Sequence, residues 1–138
     1  IRDVEPKEDS SLNQKEIEHL LERLPLESAS HEEFRVAVSR SHQTPETHDR
    51  IDQIRQQHPD LKLIEQGSSY KFCLLAEGTI DYYVRTTNTY EWDTAAGELI
   101  LAEAGGSTIS YPEGRPLCYN KEDLKNPWFE ARSATCKL

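Results

Sequence analysis

The sequence lacks any run of apolar residues that approaches membrane-spanning length, and its first residues lack the basic-then-apolar order of a secretory signal. These two absences predict a protein that is soluble and not exported. Methionine is also absent, including at position 1, which is unusual for a complete product of 138 residues and indicates that residue 1 is not the native start. A chain of this length suffices for one compact domain, and we predict a single domain over residues 1–138.

The sequence has no paired cysteine motif, and it has fewer basic than acidic residues. Cys73, Cys118 and Cys136 show no CxxC spacing and have no neighbouring histidines, so the sequence suggests neither a disulfide framework nor a zinc site. A reducing, cytoplasmic setting fits this pattern. Sixteen Lys and Arg against 25 Asp and Glu give a formal net charge of −9, which repels DNA and RNA at long range. We therefore expect no nucleic-acid polymer as a partner, although a small anion could bind where a few cations or helix N-termini converge.

The sequence does contain short β-branched segments that alternate with helical ones. Helical spacing of apolar residues predicts an amphipathic helix over residues 11–24, with Pro25 as its end. Further helices are predicted from about Pro45 to Gln57, in "SYKFCLLAEG" and over residues 94–104, and strands are predicted in "FRVAVSRS", "LKLIE", "TIDYYVR" and "STISY". This alternation predicts an α/β fold with a mainly parallel, mixed sheet flanked by helices, in which ligands bind at the carboxyl ends of strands.

The segment "EWDTAAGELILAEAGG" contains one acidic residue, Asp93, at about the point where a helix begins. The ordinary interpretation is that Asp93 is an N-cap, with Trp92 as a packing residue. Spacing alone favours a cap over a metal ligand or a catalytic group, since caps are common.

The same segment strongly resembles the second signature of the inositol monophosphatase superfamily, in which a WDxAAG sequence is followed by an apolar helix and AGG. Upstream, "AVSRSHQTPET", "GSSYKFCLLAEG" and "DYYVR" are similar to one branch of it, the 3'(2'),5'-bisphosphate nucleotidases. Downstream, "GRPLCYNKEDLKNPWF" is similar to their C-terminal end. The resemblance covers the chain from about Phe34 onward and is weak over the first thirty residues. It implies the layered α/β fold of that superfamily and hydrolysis of the 3'-phosphate of adenosine 3',5'-bisphosphate, a reaction of sulfur assimilation and nucleotide recycling.

The resemblance also implies which residues form the site. In that family the aspartate of the WD pair is a magnesium ligand at the reaction centre, and the match assigns this metal-binding, catalytic role to Asp93. A carboxylate is a hard oxygen ligand that suits Mg²⁺ and also the N-terminal end of a helix dipole. Substrate contacts are assigned to four residues that follow the family's order: Lys71 and Arg85 for phosphate charge, Ser68 for a hydroxyl, and His42 for the base or ribose. Without the resemblance, each of the four is a helix cap or a solvated surface residue.

Two departures from the family pattern affect these expectations. Close relatives usually carry glycine or alanine and then proline before the WD pair, whereas this chain has Thr87 and Asn88, which puts the rigidity of the loop 86–90 and its fine selectivity in question. The family's first signature, an acidic GEE or SEE pair followed by DPxDGT, supplies most metal ligands and has no match here. We therefore expect a C-terminal half whose partner is the missing N-terminal half, and which is inactive alone.

Two alternative functions remain open at this point. One is an inositol-phosphate phosphatase of the same superfamily, and the other is a non-catalytic module that binds a nucleotide or a partner. The GSSxK and SRSH matches favour the nucleotide substrate, because they provide cations for a second phosphate. The expected location is cytoplasmic, or peripheral at the cytoplasmic face of the inner membrane in bacteria.

Overall fold

The computed structural model describes residues 21–26, 32–40 and 43–138. Within these residues the chain forms five strands and three helices, which alternate up to the last strand. In chain order they are β1 (Arg35–Val38), α1 (Pro45–Gln57), β2 (Lys62–Glu65), α2 (Tyr70–Glu77), β3 (Tyr82–Arg85), α3 (Glu91–Glu103), β4 (Ser107–Ser110) and β5 (Phe129–Arg132).

The strands form one mixed sheet in the order β2-β1-β3-β5-β4. Strand β1 pairs in parallel with β2 and β3, whereas β5 pairs antiparallel with β3 and with β4. Four strands therefore share one direction and β5 runs against them, which confirms the predicted fold class. Strand β5 itself was not predicted, although it lies between β3 and β4.

Alternate residues of the strands are buried on opposite faces of the sheet, as the two-residue period of a strand requires. One face packs against α2 and α3, and the other packs against α1. The first cluster comprises Ala37, Phe72, Leu75, Ala76, Ile80, Tyr83, Leu101, Ala104, Leu117, Phe129 and Ala131. The second comprises Val36, Val38, Ile51, Ile54, Tyr82 and Val84.

The ends of α1 and α2 follow from local sequence signals. Helix α1 begins after Thr44, whose side chain accepts the N–H of Thr47 at 3.3 Å, and it has proline in its first turn. Helix α2 ends at Gly78, which adopts the left-handed conformation with φ of 79°. Both predicted helices are confirmed.

The predicted helix over 11–24 falls mostly outside the described residues, and its described part, residues 21–24, is not helical. No helix in the described ranges has the length and apolar character needed to cross a bilayer.

Candidate active site

One cleft of about 430 Å³ lies where the carboxyl ends of β1, β2 and β3 meet the beginning of α3. It is lined by Ser68, Lys71, Arg85 and Asp93, which are four of the five site residues predicted from the sequence. The fifth, His42, lies outside the described residues. The convergence follows from the topology, because parallel strands place their carboxyl ends at one edge of the sheet.

Lys71 is buried, with 2 % of its surface exposed, although lysine is ordinarily a surface residue. Its Nζ donates hydrogen bonds to the carbonyl oxygens of Gln66 at 3.0 Å and Ser68 at 2.8 Å, and lies 4.8 Å from the centre of the Tyr83 ring. Burial, and to a smaller extent the positive charge of Arg85, lowers the pKa of Lys71 to about 8. Lys71 therefore both fastens the turn that follows β2 and brings charge to the cleft.

The turn between β2 and α2 presents hydroxyl groups to the cleft. Ser68 has a φ of 61°, which is uncommon for a residue other than glycine. Ser69 occupies the N-cap position of α2 but makes no capping hydrogen bond with its side chain. Among the described residues, the first amides of α2 therefore receive no cap from the N-cap side chain. Such amides favour an anionic ligand.

Arg85 is held in place by Ser39, a residue that the sequence analysis did not select. Arg85 Nη1 donates to Ser39 Oγ at 2.7 Å. Arg40 lines the same cleft and was also missed, although both residues belong to the "SRSH" segment from which only the histidine was chosen. With Lys71, the described lining contains three cations against one carboxylate, that of Asp93. The cleft is thus locally positive in a chain with a net charge of −9.

Asp93 is the third residue of α3, and Tyr90 occupies the N-cap position instead. Asp93 Oδ2 accepts the backbone N–H of Tyr90 at 2.8 Å, and Asp93 N–H donates to the carbonyl oxygen of Tyr90 at 2.9 Å. An acidic residue at this position reaches back to the N-cap amide, as in a capping box. The helix therefore begins three residues earlier than predicted, and Asp93 is not its N-cap.

The carboxylate of Asp93 is exposed at the cleft. Its oxygens are suitable ligands for a hard metal ion, which needs several such ligands. The described residues donate no hydrogen bond to its second oxygen, Oδ1, which leaves that oxygen available as a ligand. Nowhere in residues 21–26, 32–40 and 43–138 do three or more His, Cys, Asp or Glu side chains form a group that could hold a metal ion. The described part of the chain thus offers one ligand, and further ligands would have to come from elsewhere.

The loop 86–90, whose rigidity the sequence puts in question, is held by hydrogen bonds at both ends. Thr86 Oγ1 lies 2.7 Å from Thr44 Oγ1 and 2.5 Å from Thr47 Oγ1, which ties the end of β3 to the start of α1. At the other end, Asn126 N–H donates to the carbonyl oxygen of Thr89 at 2.9 Å. The loop is therefore anchored by hydrogen bonds to α1 at one end and to Asn126 at the other.

Comparison with known proteins assigns a relationship to almost the whole chain. A family model described as the inositol monophosphatase family matches residues 7–132, so the similarity extends further towards the N-terminus than the sequence motifs indicate. An "uncharacterized protein in pss 5'region" of Rhizobium leguminosarum bv. phaseoli is 51% identical over 78 residues, which are 52% of this chain and 81% of that protein. The 3'(2'),5'-bisphosphate nucleotidase CysQ of Escherichia coli K12 is 40% identical over 95 residues, which are 68% of this chain and 37% of CysQ.

A solved structure extends the similarity to three dimensions. The crystal structure of CysQ from Bacteroides thetaiotaomicron, described as a bacterial member of the inositol monophosphatase family, matches with a TM-score of 0.82 at 42% sequence identity. The match covers 93% of this chain and 47% of that one. The matched residues therefore cover less than half the length of either CysQ protein.

Proposed function

Because this chain belongs to the inositol monophosphatase family, we propose that it is part of a magnesium-dependent 3'(2'),5'-bisphosphate nucleotidase that converts adenosine 3',5'-bisphosphate to AMP and phosphate. The observation that carries the proposal is the convergence of Ser68, Lys71, Arg85 and Asp93 on one cleft. Sequence identity of 40–42% to two CysQ proteins supports the class of substrate.

The charges of the cleft support a ligand with two phosphate groups. Arg40, Lys71 and Arg85 provide three cations, and each charge-assisted hydrogen bond contributes about 1.5–3 kcal/mol. An inositol monophosphate, the alternative substrate, has one phosphate and needs fewer of them. Ser68 contributes a hydroxyl beside these cations, and His42 remains the predicted contact to the base or ribose.

In this proposal Asp93 is a ligand to Mg²⁺ through the oxygen that does not accept the N–H of Tyr90. When bound, Mg²⁺ polarises a phosphoryl oxygen and lowers the pKa of a coordinated water. The chain's own residues hold the Asp93 carboxylate at the mouth of the cleft and bind the phosphate groups beside it. Substrate and metal ligand are thereby brought together at the start of α3.

We propose that the remaining metal ligands come from an N-terminal half outside these 138 residues, and that the chain alone does not hydrolyse the substrate. The described residues supply one suitable carboxylate at the cleft, and the matched residues cover only 37% and 47% of the two CysQ proteins. Helix α3 also exposes Trp92, Leu99 and Ile100, with 67%, 63% and 44% of their surfaces accessible. Their spacing places them on one helical face, and an exposed apolar face of this kind indicates an interface.

We further propose that the protein works in a reducing compartment. All three cysteines, Cys73, Cys118 and Cys136, are unpaired in the structure. Free thiols persist where the surroundings keep them reduced, as in the cytoplasm.

The test is a phosphate-release assay on the protein encoded by the complete reading frame that contains these residues. Adenosine 3',5'-bisphosphate and inositol 1-phosphate are compared, with Mg²⁺ and with EDTA, beside the 138-residue chain. We expect Mg²⁺-dependent release from the bisphosphate by the complete protein and none by the shorter chain. A preference for inositol 1-phosphate would support the alternative phosphatase, and binding of the nucleotide without hydrolysis would support a non-catalytic module.

Asp93→Asn in the complete protein tests the metal role separately. Asparagine keeps the size and an oxygen for the N–H of Tyr90 but removes the charge that Mg²⁺ requires, so kcat should fall by orders of magnitude with little change in folding. Glu103→Gln removes the same charge from the exposed far end of α3 and should leave kcat unchanged. Near-normal turnover of Asp93→Asn would contradict the metal role, and Asp93 would then serve only to accept the N–H of Tyr90.

A further inference from the structure

Asn126 lies outside the cleft, in the loop between β4 and β5, and is buried with 8 % of its surface exposed. Its Nδ2 donates to the carbonyl oxygen of Tyr90 at 2.8 Å, to Thr94 Oγ1 at 3.0 Å and to Thr89 Oγ1 at 3.2 Å. Its backbone N–H donates to the carbonyl oxygen of Thr89 at 2.9 Å. One side chain and its own amide thus contact three of the residues that surround Asp93.

The peptide group between Thr89 and Tyr90 is fixed at both ends by these contacts. Its carbonyl oxygen accepts the N–H of Asn126, and its N–H donates to Asp93 Oδ2. A peptide group is planar, so two opposed hydrogen bonds define its orientation. The direction of the N–H that holds the Asp93 carboxylate is therefore set from the far side by the backbone N–H of Asn126, and the Asn126 side chain keeps that backbone in place through its bonds to Thr89 Oγ1 and the carbonyl oxygen of Tyr90.

The following peptide group is held in the same way. The carbonyl oxygen of Tyr90 accepts from Asn126 Nδ2 at 2.8 Å, and the N–H of Glu91 donates to the carbonyl oxygen of Leu124 at 3.0 Å. Both peptide groups that precede the first turn of α3 are consequently fastened by the loop that contains Leu124 and Asn126.

We propose that Asn126 is a positioning residue for Asp93, because it fixes the two peptide groups before α3 and, through the N–H of Tyr90, the orientation of the carboxylate. This inference rests on the proposed function insofar as Asp93 is the metal ligand. Replacing a residue that orients a metal ligand through hydrogen bonds, without binding the metal itself, typically lowers metal affinity about 10–100-fold. Asn126 does not line the cleft, so in this proposal it acts on the site through its hydrogen bonds to the residues around Asp93.

The loop has a second attachment, which allows the side chain of Asn126 to be changed without releasing it. The carboxylate of Glu91 accepts the backbone N–H of Asn120 at 2.6 Å and of Lys121 at 3.1 Å. Asn126→Asp keeps the shape of the side chain but replaces its donors with acceptors, which face the carbonyl oxygen of Tyr90. Asn126→Ala removes the donors without adding charge and serves if the aspartate variant does not fold.

Tyr119→Phe is a matched control in the same loop. The Tyr119 hydroxyl donates to the carboxylate of Glu98 and lies 3.1 Å from Thr94 Oγ1, so its loss disturbs α3 but not the two peptide groups. Asn126→Ala and Tyr119→Phe therefore each remove side-chain hydrogen bonds to α3, but only Asn126→Ala also removes the bond to the carbonyl oxygen of Tyr90.

The experiment measures amide hydrogen exchange and Mg²⁺ binding in the complete protein. In Asn126→Asp or Asn126→Ala we expect the Tyr90 amide to exchange at least about tenfold faster, amides in the middle of α3 to be unchanged, and Mg²⁺ affinity by calorimetry to fall about 10–100-fold. Tyr119→Phe should alter neither quantity. Unchanged exchange at Tyr90 in both folded variants, or faster exchange with unchanged Mg²⁺ affinity, would overturn the inference. Exchange at Tyr90 does not depend on turnover, so a failure of the proposed function would be recognised separately.

Discussion

Arg85 and Ser39 are joined by a hydrogen bond of 2.7 Å between Nη1 and Oγ, although they are 46 positions apart in the chain. They meet because β1 and β3 are neighbouring parallel strands, and each residue lies at or just beyond the carboxyl end of its strand. The bond directs the guanidinium of Arg85 toward the side of the cleft that also contains Lys71. The positive charge of the cleft is thus arranged by the sheet.

Ser39→Ala should loosen Arg85 without removing its charge. Hydrogen bonds to charged groups contribute about 1.5–3 kcal/mol, so we expect KM for adenosine 3',5'-bisphosphate to rise by up to about tenfold in the complete protein, with kcat little changed. Steady-state kinetics provide the measurement. Ser133→Ala, at another buried serine distant from the cleft lining, should leave KM unaltered. Equal KM values for the two variants would show that Ser39 does not position Arg85 for substrate.

Gly97 allows α2 and α3 to pack closely. A Cβ at this position would lie 2.8 Å from the Cβ of Phe72, whose side chain is buried and cannot move away freely. We expect Gly97→Ala to lower the free energy of unfolding by about 1–3 kcal/mol, although alanine favours helices by about 1 kcal/mol over glycine. Chemical denaturation measures the change. Gly67→Ala, where no atom lies within 4 Å of the added Cβ, should cost less than about 0.5 kcal/mol.

Arg50 and Glu130 form an ion pair that connects α1 to β5, an interior strand of the sheet. Arg50 Nε lies 2.6 Å from Glu130 Oε1, and the glutamate side chain is 4% exposed. Burial alone would raise the pKa of Glu130, but hydrogen bonds from Arg50 and Tyr82 hold it below its ordinary value. Arg50→Met should therefore leave a buried carboxylate poorly paired and lower the free energy of unfolding by about 1.5–3 kcal/mol.

The control for this substitution lies on the same helix. Arg55 pairs with Asp52 at 2.7 Å, but both side chains are largely exposed, so Arg55→Met should cost no more than about 1 kcal/mol. Equal decreases in the free energy of unfolding for Arg50→Met and Arg55→Met would mean that burial does not increase the contribution of the Arg50–Glu130 pair to stability.

The sequence predicts the elements whose pattern is local. Caps, glycine ends and apolar spacing identify α1 and α2, and β-branched residues identify β1 and β3. Strand β5 has the sequence "FEAR", and its two charged residues gave no sign of an interior strand. Glu130 is buried there because Arg50 reaches it from 80 positions away, a contact that no local pattern contains.

The candidate site was likewise predictable only in part. Family motifs predict Ser68, Lys71, Arg85 and Asp93, and the parallel sheet brings all four to one cleft. The burial of Lys71 could not be predicted, since it depends on two backbone carbonyls and an aromatic ring beneath it. Asn126 contacts Thr89 and Tyr90 from 37 and 36 positions away, and such remote contacts leave no signal at its own position.

The pH dependence of ligand binding should depend on Lys71, whose pKa is lowered to about 8 by burial and by the charge of Arg85. Below this pH the ammonium attracts a phosphate, and above it the charge is lost, so affinity should fall as the pH rises. Phosphate esters have a second pKa of about 6, so the charge of the ligand does not change in this range. We expect a constant Kd up to about pH 7.5 and then weakening of up to about tenfold per pH unit.

Calorimetric titration of the complete protein with adenosine 3',5'-bisphosphate in EDTA, between pH 7 and 9.5, measures this profile without turnover. Lys71→Arg supplies the control, because a guanidinium stays charged throughout and should give a flat profile even if its fit in the buried position weakens binding at every pH. A flat profile in the unmodified protein would show that the charge of Lys71 does not act on the ligand. The same fall in Lys71→Arg would assign the titration to another group, and Lys71 would then serve only to fasten the turn at Gln66 and Ser68.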